Sequence, residues 1–290
     1  ESIGREDFEL LIRQPLENIF VERDWTNAIE IIVTTKGIPL RVDGPRVSRP
    51  FLLRDDTTAS VDAELSLLFS PLIGSPGIAA SRNPYYGQEI SFQEFRDQHP
   101  QSPLRYMVAR LTGYQTPGSP NNPLPRDVAR LLENAQAEPT LRGLWLVDLD
   151  PNLPAALDVA NQMLLAGTIG RLEGLDVRLV ANLDEGFAKD FDDIQGYASW
   201  GSNASQDAQP GAYGEIQGSV YPGRFAPRAL VTDLVSTNAR SFTAPAEYGQ
   251  SLIADLIALG VGGAAGHVAE PTLPGVVRPQ ILLGRYATGV

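Results

Sequence analysis

The chain has no cysteine, two histidines and two lysines among 290 residues. Without cysteine there is no disulfide, no thiolate nucleophile, no thiolate-held zinc and no iron–sulfur cluster. His99 and His267 alone do not make a histidine-rich metal site or the attachment motif of a c-type haem. No apolar run approaches the ~20 residues that cross a bilayer as a helix. The opening residues, Glu1-Ser-Ile-Gly-Arg-Glu-Asp7, carry neither the basic nor the apolar region of a secretory signal. The sequence reads as intracellular or as already processed. Because Lys36 and Lys189 are the only lysines, the basic residues are nearly all arginine, and 35 acidic side chains outnumber them to give a net charge of -12. A surface of that sign repels phosphate backbones, so a nucleic-acid partner is not expected.

What remains is the composition of a packed globular chain. Hydrophobic residues make up 43% and charged residues 20%, which excludes wholesale disorder. The 27 glycines and 23 prolines follow no collagen-like period and signal many turns and long connections.

Between Arg5 and Arg23, Phe8, Leu11, Ile12, Leu16, Ile19 and Phe20 recur at helical spacing. Pro15 is expected to interrupt or kink that helix, because it has no N–H to donate. Short apolar, β-branched runs predict strands over 28–35, 106–111, 144–149, 176–181, 194–200 and 229–235, and a glycine-rich one over 262–269. Helices are predicted over 59–69, with Ser60 as N-cap, and over 126–137, 153–172 and 248–259. Strands separated by helical stretches argue for βαβ units and a mainly parallel sheet covered on both faces. The expected architecture is therefore α/β: a single domain, a three-layer sandwich, with long loop-like excursions near 70–103 and 201–227. The chain is read as opening directly in a helix, so the first βα unit of the natural domain is expected to lie outside this sequence.

As a set, several segments resemble a large family of secreted bacterial proteins of uncharacterised function. They are Ile32-Val-Thr-Thr-Lys-Gly-Ile-Pro-Leu-Arg-Val-Asp-Gly44, Ala59-Ser-Val-Asp-Ala-Glu-Leu-Ser-Leu-Leu68, Gly143-Leu-Trp-Leu-Val-Asp148, Gly196-Tyr-Ala-Ser-Trp-Gly-Ser-Asn203 and Gly260-Val-Gly-Gly-Ala-Ala-Gly-His-Val-Ala-Glu-Pro271. That family in turn resembles the caspase-like fold of the gingipain-type cysteine peptidases. The resemblance implies a caspase-like organisation and a periplasmic or extracellular location. In the peptidases a His-Gly pair follows one central strand and a Cys follows the next, the imidazole taking the thiol proton. Here Trp200-Gly201 stands where the His-Gly pair is expected, and Ser236 or Thr237 stands where the Cys is expected. The resemblance thus implies a scaffold without its catalytic pair: a non-enzymatic binding or accessory protein, docked on a larger assembly, membrane-bound or not.

The alternative is a hydrolase in which Ser236 or Thr237 is the nucleophile, His267 the base and Asp233 or Glu270 the orienting carboxylate. The context Gly-Gly-Ala-Ala-Gly-His267-Val favours a structural histidine. Asp148, Asp150, Asp184 and Asp233 fall at or just beyond strand ends, where α/β sheets bind ligands, and could hold Ca²⁺ or Mg²⁺ through oxygen. The competing reading of these aspartates is turn formation and helix capping. Lys36, at a strand end, is placed to meet a ligand carboxylate or to pair with Asp62 or Glu64. No phosphate-binding glycine loop, Gly-x-Ser-x-Gly or His-Glu-x-x-His is present, and no cofactor is expected. The aromatics Tyr85, Tyr86, Phe92, Phe95 and Tyr106 in the first excursion, and Tyr213, Tyr221 and Phe225 in the second, suit either a protein-binding surface or self-packed loops.

Overall fold

A computed structural model describes residues 2–44, 58–75, 83–114, 126–137, 142–149, 156–184, 187–201, 222–243, 250–271 and 275–289. The chain is mixed α/β and divides into two compact units, Glu1–Leu111 with Val268–Val276, and Thr112–His267 with Val277–Val290.

In the first unit a short strand, β1 (Ser2–Gly4), precedes the helix and pairs in parallel with β3 (Arg41–Asp43). The reading of a chain that opens in a helix is corrected on this point. Three residues are too few to show an alternating pattern. The helical run that follows is α1 (Arg5–Phe8), a π-helical stretch (Glu9–Arg13) and α2 (Gln14–Glu22). Pro15, in the first turn of α2, does not break the run. The turn ahead of it widens instead, with the Gln14 N–H bonding the Glu9 carbonyl five residues back. β3 also pairs antiparallel with β4 (Ala59–Ser60). Ser60 caps α3 (Val61–Ser66), its Oγ accepting from the Ala63 N–H at 2.9 Å. β2 (Ile31–Thr35) and β5 (Met107–Leu111) form a separate parallel pair. Phe8, Phe20, Val42, Val61, Leu65, Leu68 and Tyr106 build the core.

The first excursion is not all loop. It contains α4 (Phe92–Gln98), opened by a reciprocal capping box between Ser91 and Glu94. Phe92, Phe95 and Leu104 are buried together with Tyr85 packed on them, ring centroids 5.3 and 5.1 Å from the two phenylalanines. These aromatics face inward, as a small second core.

The second unit carries one five-stranded, all-parallel sheet. Its strands are β6 (Leu144–Asp148), β7 (Arg178–Asn182), β8 (Phe191–Ser199), β9 (Gly223–Asp233) and β10 (Gly263–Ala265), in the order β10-β9-β8-β6-β7. All five residues of β6 are buried, as a strand covered on both faces requires. β9 begins six residues earlier than its apolar pattern indicated and bulges in its middle, where the β8–β9 register shifts and Arg228 adopts φ 62°. Gly196 of β8 lies against the ring of Trp145, and any Cβ there would run into the indole. Among the described residues four helices accompany the sheet: α5 (Arg126–Gln136), α6 (Ala156–Glu173), α7 (Ile253–Ala258) and α8 (Pro279–Thr288). The last was not read from sequence. It begins with Pro279 in its first turn, and its Tyr286 hydroxyl donates to the carbonyl at the β9 bulge, Arg228 O, at 2.6 Å.

Candidate functional site

Numbered from β6, the sheet order is 2-1-3-4-5. The chain runs outward from β6 to β7, then returns to the other side of β6. The point of reversal lies between β6 and β8, and open α/β sheets bind ligands at the carboxyl ends of the strands beside such a point.

The register aligns one polar residue from each of four strands along this edge. Asn182 pairs with Asp148, Asp148 with Ser199, and Ser199 with Asp233. Register partners in a sheet share a face. Asp148, Ser199 and Asp233 are all fully buried. The Asp148 carboxylate is satisfied from within the unit: Asn182 Nδ2 donates to it at 2.7 Å, the Ala188 N–H at 3.0 Å and the Tyr197 hydroxyl at 3.3 Å. Asp233 differs. Its Oδ1 accepts from Asn238 Nδ2 at 2.7 Å and from the Val235 N–H at 3.0 Å, while Oδ2 is buried without a partner. Burial pushes the Asp233 carboxyl up to about 7, against the opposing pull of those two hydrogen bonds.

Asn238, fully buried, links this aspartate to the next strand, its Oδ1 accepting from the His267 backbone N–H at 2.7 Å. Gly266 makes that approach feasible, since a Cβ there would strike the Asn238 amide oxygen. His267 Nε2 accepts from the Val277 N–H at 3.0 Å. That bond makes Nδ1 the protonated nitrogen. Nδ1 is shut off from solvent without a hydrogen bond of normal geometry, and the Val235 carbonyl only partly offsets the burial that lowers the imidazole to about 4. His267 is a neutral ring in a structural position.

The hydroxyls read as nucleophiles are engaged elsewhere. Thr237 Oγ1 donates to Gln250 Oε1, and Gln250 Nε2 donates to Ser236 Oγ at 3.1 Å. Among the described residues neither hydroxyl bonds to His267, and Asp233 bonds to the backbone and to Asn238 rather than to the imidazole. Glu270 belongs to the other unit. Trp200, at the end of β8, stacks on Phe187 with centroids 4.1 Å apart and planes 9° apart. Its backbone N–H bonds the Asp148 carbonyl at 3.2 Å, and its indole Nε1 is buried without a partner. Gly201, at φ 65°, folds back so closely that a Cβ would meet Val235.

The acidic residues do not gather around one point. Asp148 and Asp233 sit two strand spacings apart, about 10 Å, whereas oxygens on one cation lie ~2.3–2.6 Å from it. Asp184 is exposed beyond β7, and Asp150 lies outside the described residues. Among the described residues no three acidic or histidine side chains come together in a geometry for a metal ion. Tyr213 and Tyr221 also lie outside the described residues, and Phe225 packs on Tyr197 at 6.3 Å.

In the first unit, partly buried Lys36 sits just past β2, its backbone N–H bonded to Leu111 O at 3.1 Å. Asp62 and Glu64 are held by Arg110 and Arg5, at 2.6 and 2.7 Å. Asn238 and Gln250, which organise the β9 end, were not singled out from sequence. Nothing in their neighbourhood announces a partner 13 to 29 residues away. No helix among the described residues is long and apolar enough to cross a membrane. Comparison of the chain with family models, with curated proteins and with solved structures gives no match.

Proposed function

We propose that this chain is a non-catalytic binding or accessory protein of the extracytoplasmic space, a caspase-like three-layer scaffold that docks on a larger assembly. The observation that carries the reading is the state of the groups a hydrolase would need. The lone pair of His267 Nε2 is taken by a backbone N–H, and the hydroxyls of Ser236 and Thr237 are bound to Gln250. A serine or threonine hydroxyl needs a positioned base to act as a nucleophile. The parallel order and the places of Trp200 and Ser236 at the ends of adjacent strands support the kinship. On that kinship, the position expected of the base is held by an indole, Trp200, which stacks on Phe187.

The test has two arms. The purified chain is assayed against p-nitrophenyl esters and fluorogenic peptides, and its migration in native extracts of its source is measured. The expected results are hydrolysis no faster than buffer and migration within a larger complex. Hydrolysis abolished by Ser236→Ala or Thr237→Val overturns the reading, and so does migration as a lone chain.

A further inference from the structure

A cleft of about 320 Å³ in the first unit is lined by Asn27, Gln93, Arg96, Asp97, His99, Leu104 and Arg105. It is built by α4, the segment after it, and the turn following α2. Arg96 reaches across to donate to Ile29 O at 2.9 Å and Asn27 O at 3.4 Å, and lies over the Tyr106 ring at 6.0 Å. Arg105 donates to Asn27 Oδ1 at 3.2 Å and to Pro100 O at 3.5 Å. The Tyr106 hydroxyl grips the same turn through Thr26 O at 2.9 Å. Both guanidiniums act on that phenol, opposing the burial that raises its pKa. The two guanidiniums also share Asn27, Arg96 bonding its carbonyl and Arg105 its side-chain amide oxygen, and both line the cleft.

Neither Arg96 nor Arg105 pairs with a carboxylate among the described residues. Arg5, Arg13, Arg41, Arg110 and Arg224 meet carboxylates, whereas Arg130 and Arg228, like this pair, bond only carbonyl oxygens. In a chain with net charge -12, carboxylates are not scarce. Four of the ten N–H donors on the two guanidiniums are used, all on neutral oxygens. These bonds fix the guanidiniums without neutralising them, which is the preorganisation an anion site requires. His99, its ring 4.9 Å from Phe95, adds an imidazole to the wall.

We propose that this cleft binds a small ligand through one compact oxyanion head, a carboxylate or a phosphate, clamped between Arg96 and Arg105. The volume lies at the small end of ligand pockets, which span ~300–1,000 Å³, and so takes a small molecule or a headgroup. Asp97, whose carboxylate accepts from Gln93 Nε2 at 2.8 Å, also lines the cleft and repels a second negative charge, which limits the site to a single anionic head. The site stands on the first unit alone and is independent of what happens at the sheet edge.

The test titrates the full chain with inorganic phosphate and, separately, sodium acetate at fixed ionic strength, reading the arginine Nε–H resonances by NMR. A saturable shift is expected, with Kd weakened about tenfold or more in Arg105→Gln and unchanged in Arg224→Gln, which alters an exposed pair in the other unit. Arg105→Lys, which keeps the charge and loses the fork, is expected to fall between them, and thermal melts confirm that each variant is folded. Cosedimentation with phosphatidylcholine vesicles, with and without phosphatidic acid, separates the sources. Binding only to the acidic vesicles, lost in Arg105→Gln, assigns a lipid headgroup, and response to the free anions alone assigns a soluble ligand. Absence of any saturable response, or a response identical in Arg105→Gln, overturns the proposal.

Discussion

Arg110 holds Asp62 through two parallel hydrogen bonds, Nε to Oδ2 at 3.0 Å and a terminal nitrogen to Oδ1 at 2.6 Å. The remaining donors of the same guanidinium reach Ile38 O at 2.7 Å and Pro39 O at 3.0 Å, while Thr34 Oγ1 donates to Asp62 at 3.1 Å. Thr34-Thr-Lys-Gly-Ile-Pro39 and Ala59-Ser-Val-Asp62 are thereby tied together by one side chain, as a structural clasp.

Arg110→Lys keeps the charge but cannot reproduce the fork or cap both carbonyls. A loss of about 2 kcal/mol is expected for this half-buried, charge-assisted network, read from urea unfolding at neutral pH. A loss below the scatter of surface substitutions would show that the clasp contributes nothing.

Gly196→Ala places a methyl group against the buried indole of Trp145. Overpacking of this kind costs about 1–3 kcal/mol, and the variant is expected to melt lower or to be insoluble. Trp145→Leu in the same chain makes room, so the double variant is expected to be more stable than the two separate losses added together.

Asp233 gives a pH dependence of definite sign. Burial pushes its carboxyl up to about 7 in the folded chain, against 3.8 when exposed to water, so near neutral pH the folded state holds a proton the unfolded state has released. Its contribution to stability is complete below about pH 4 and is lost as pH rises through 7. Asp233→Asn cannot ionise, so its stability relative to the unaltered chain is expected to increase between pH 5 and pH 8, by an amount on the order of a few kcal/mol. A flat difference across that range would contradict the buried, proton-holding carboxyl.

His267 runs the other way. With the folded ring at about 4 against 6.5, its contribution is present above 6.5 and lost as pH falls through 4. His267→Gln, compared with the unaltered chain by chemical denaturation, is expected to gain relative stability from pH 6.5 down to pH 4. In the unaltered chain the two groups oppose each other over that interval, and only above 6.5 does Asp233 act alone.

Sequence pattern revealed the periodic parts of the fold. The Leu144–Asp148 strand is apolar throughout, Ser60 was placed as the cap of its helix, and the parallel sheet followed from alternating strands and helices. The short and the irregular escaped. Ser2–Gly4 is held by pairing rather than by its own composition. α4 was hidden among prolines and aromatics, although Ser91 and Glu94 spell a capping box. The start of β9 was masked by Gly223, Pro227 and the bulge at Arg228. At the sheet edge, the positions of Trp200, Ser236 and Asp233 were read from the chain, but their partners were not. Gln250 reaches Ser236, Asn238 reaches Asp233 and Val277 reaches His267 across 5 to 14 residues, through turns that no local pattern encodes.

Glu64 is completely buried, with one carboxylate oxygen on Arg5 and the other on the Gly74 N–H at 2.9 Å. Removing the Arg5 guanidinium would therefore strand an anion inside the protein, four residues after the end of β4 and far along the chain from the cation that balances it. Arg5 is thus a latch between α1 and α3, joining residues 59 apart in the chain.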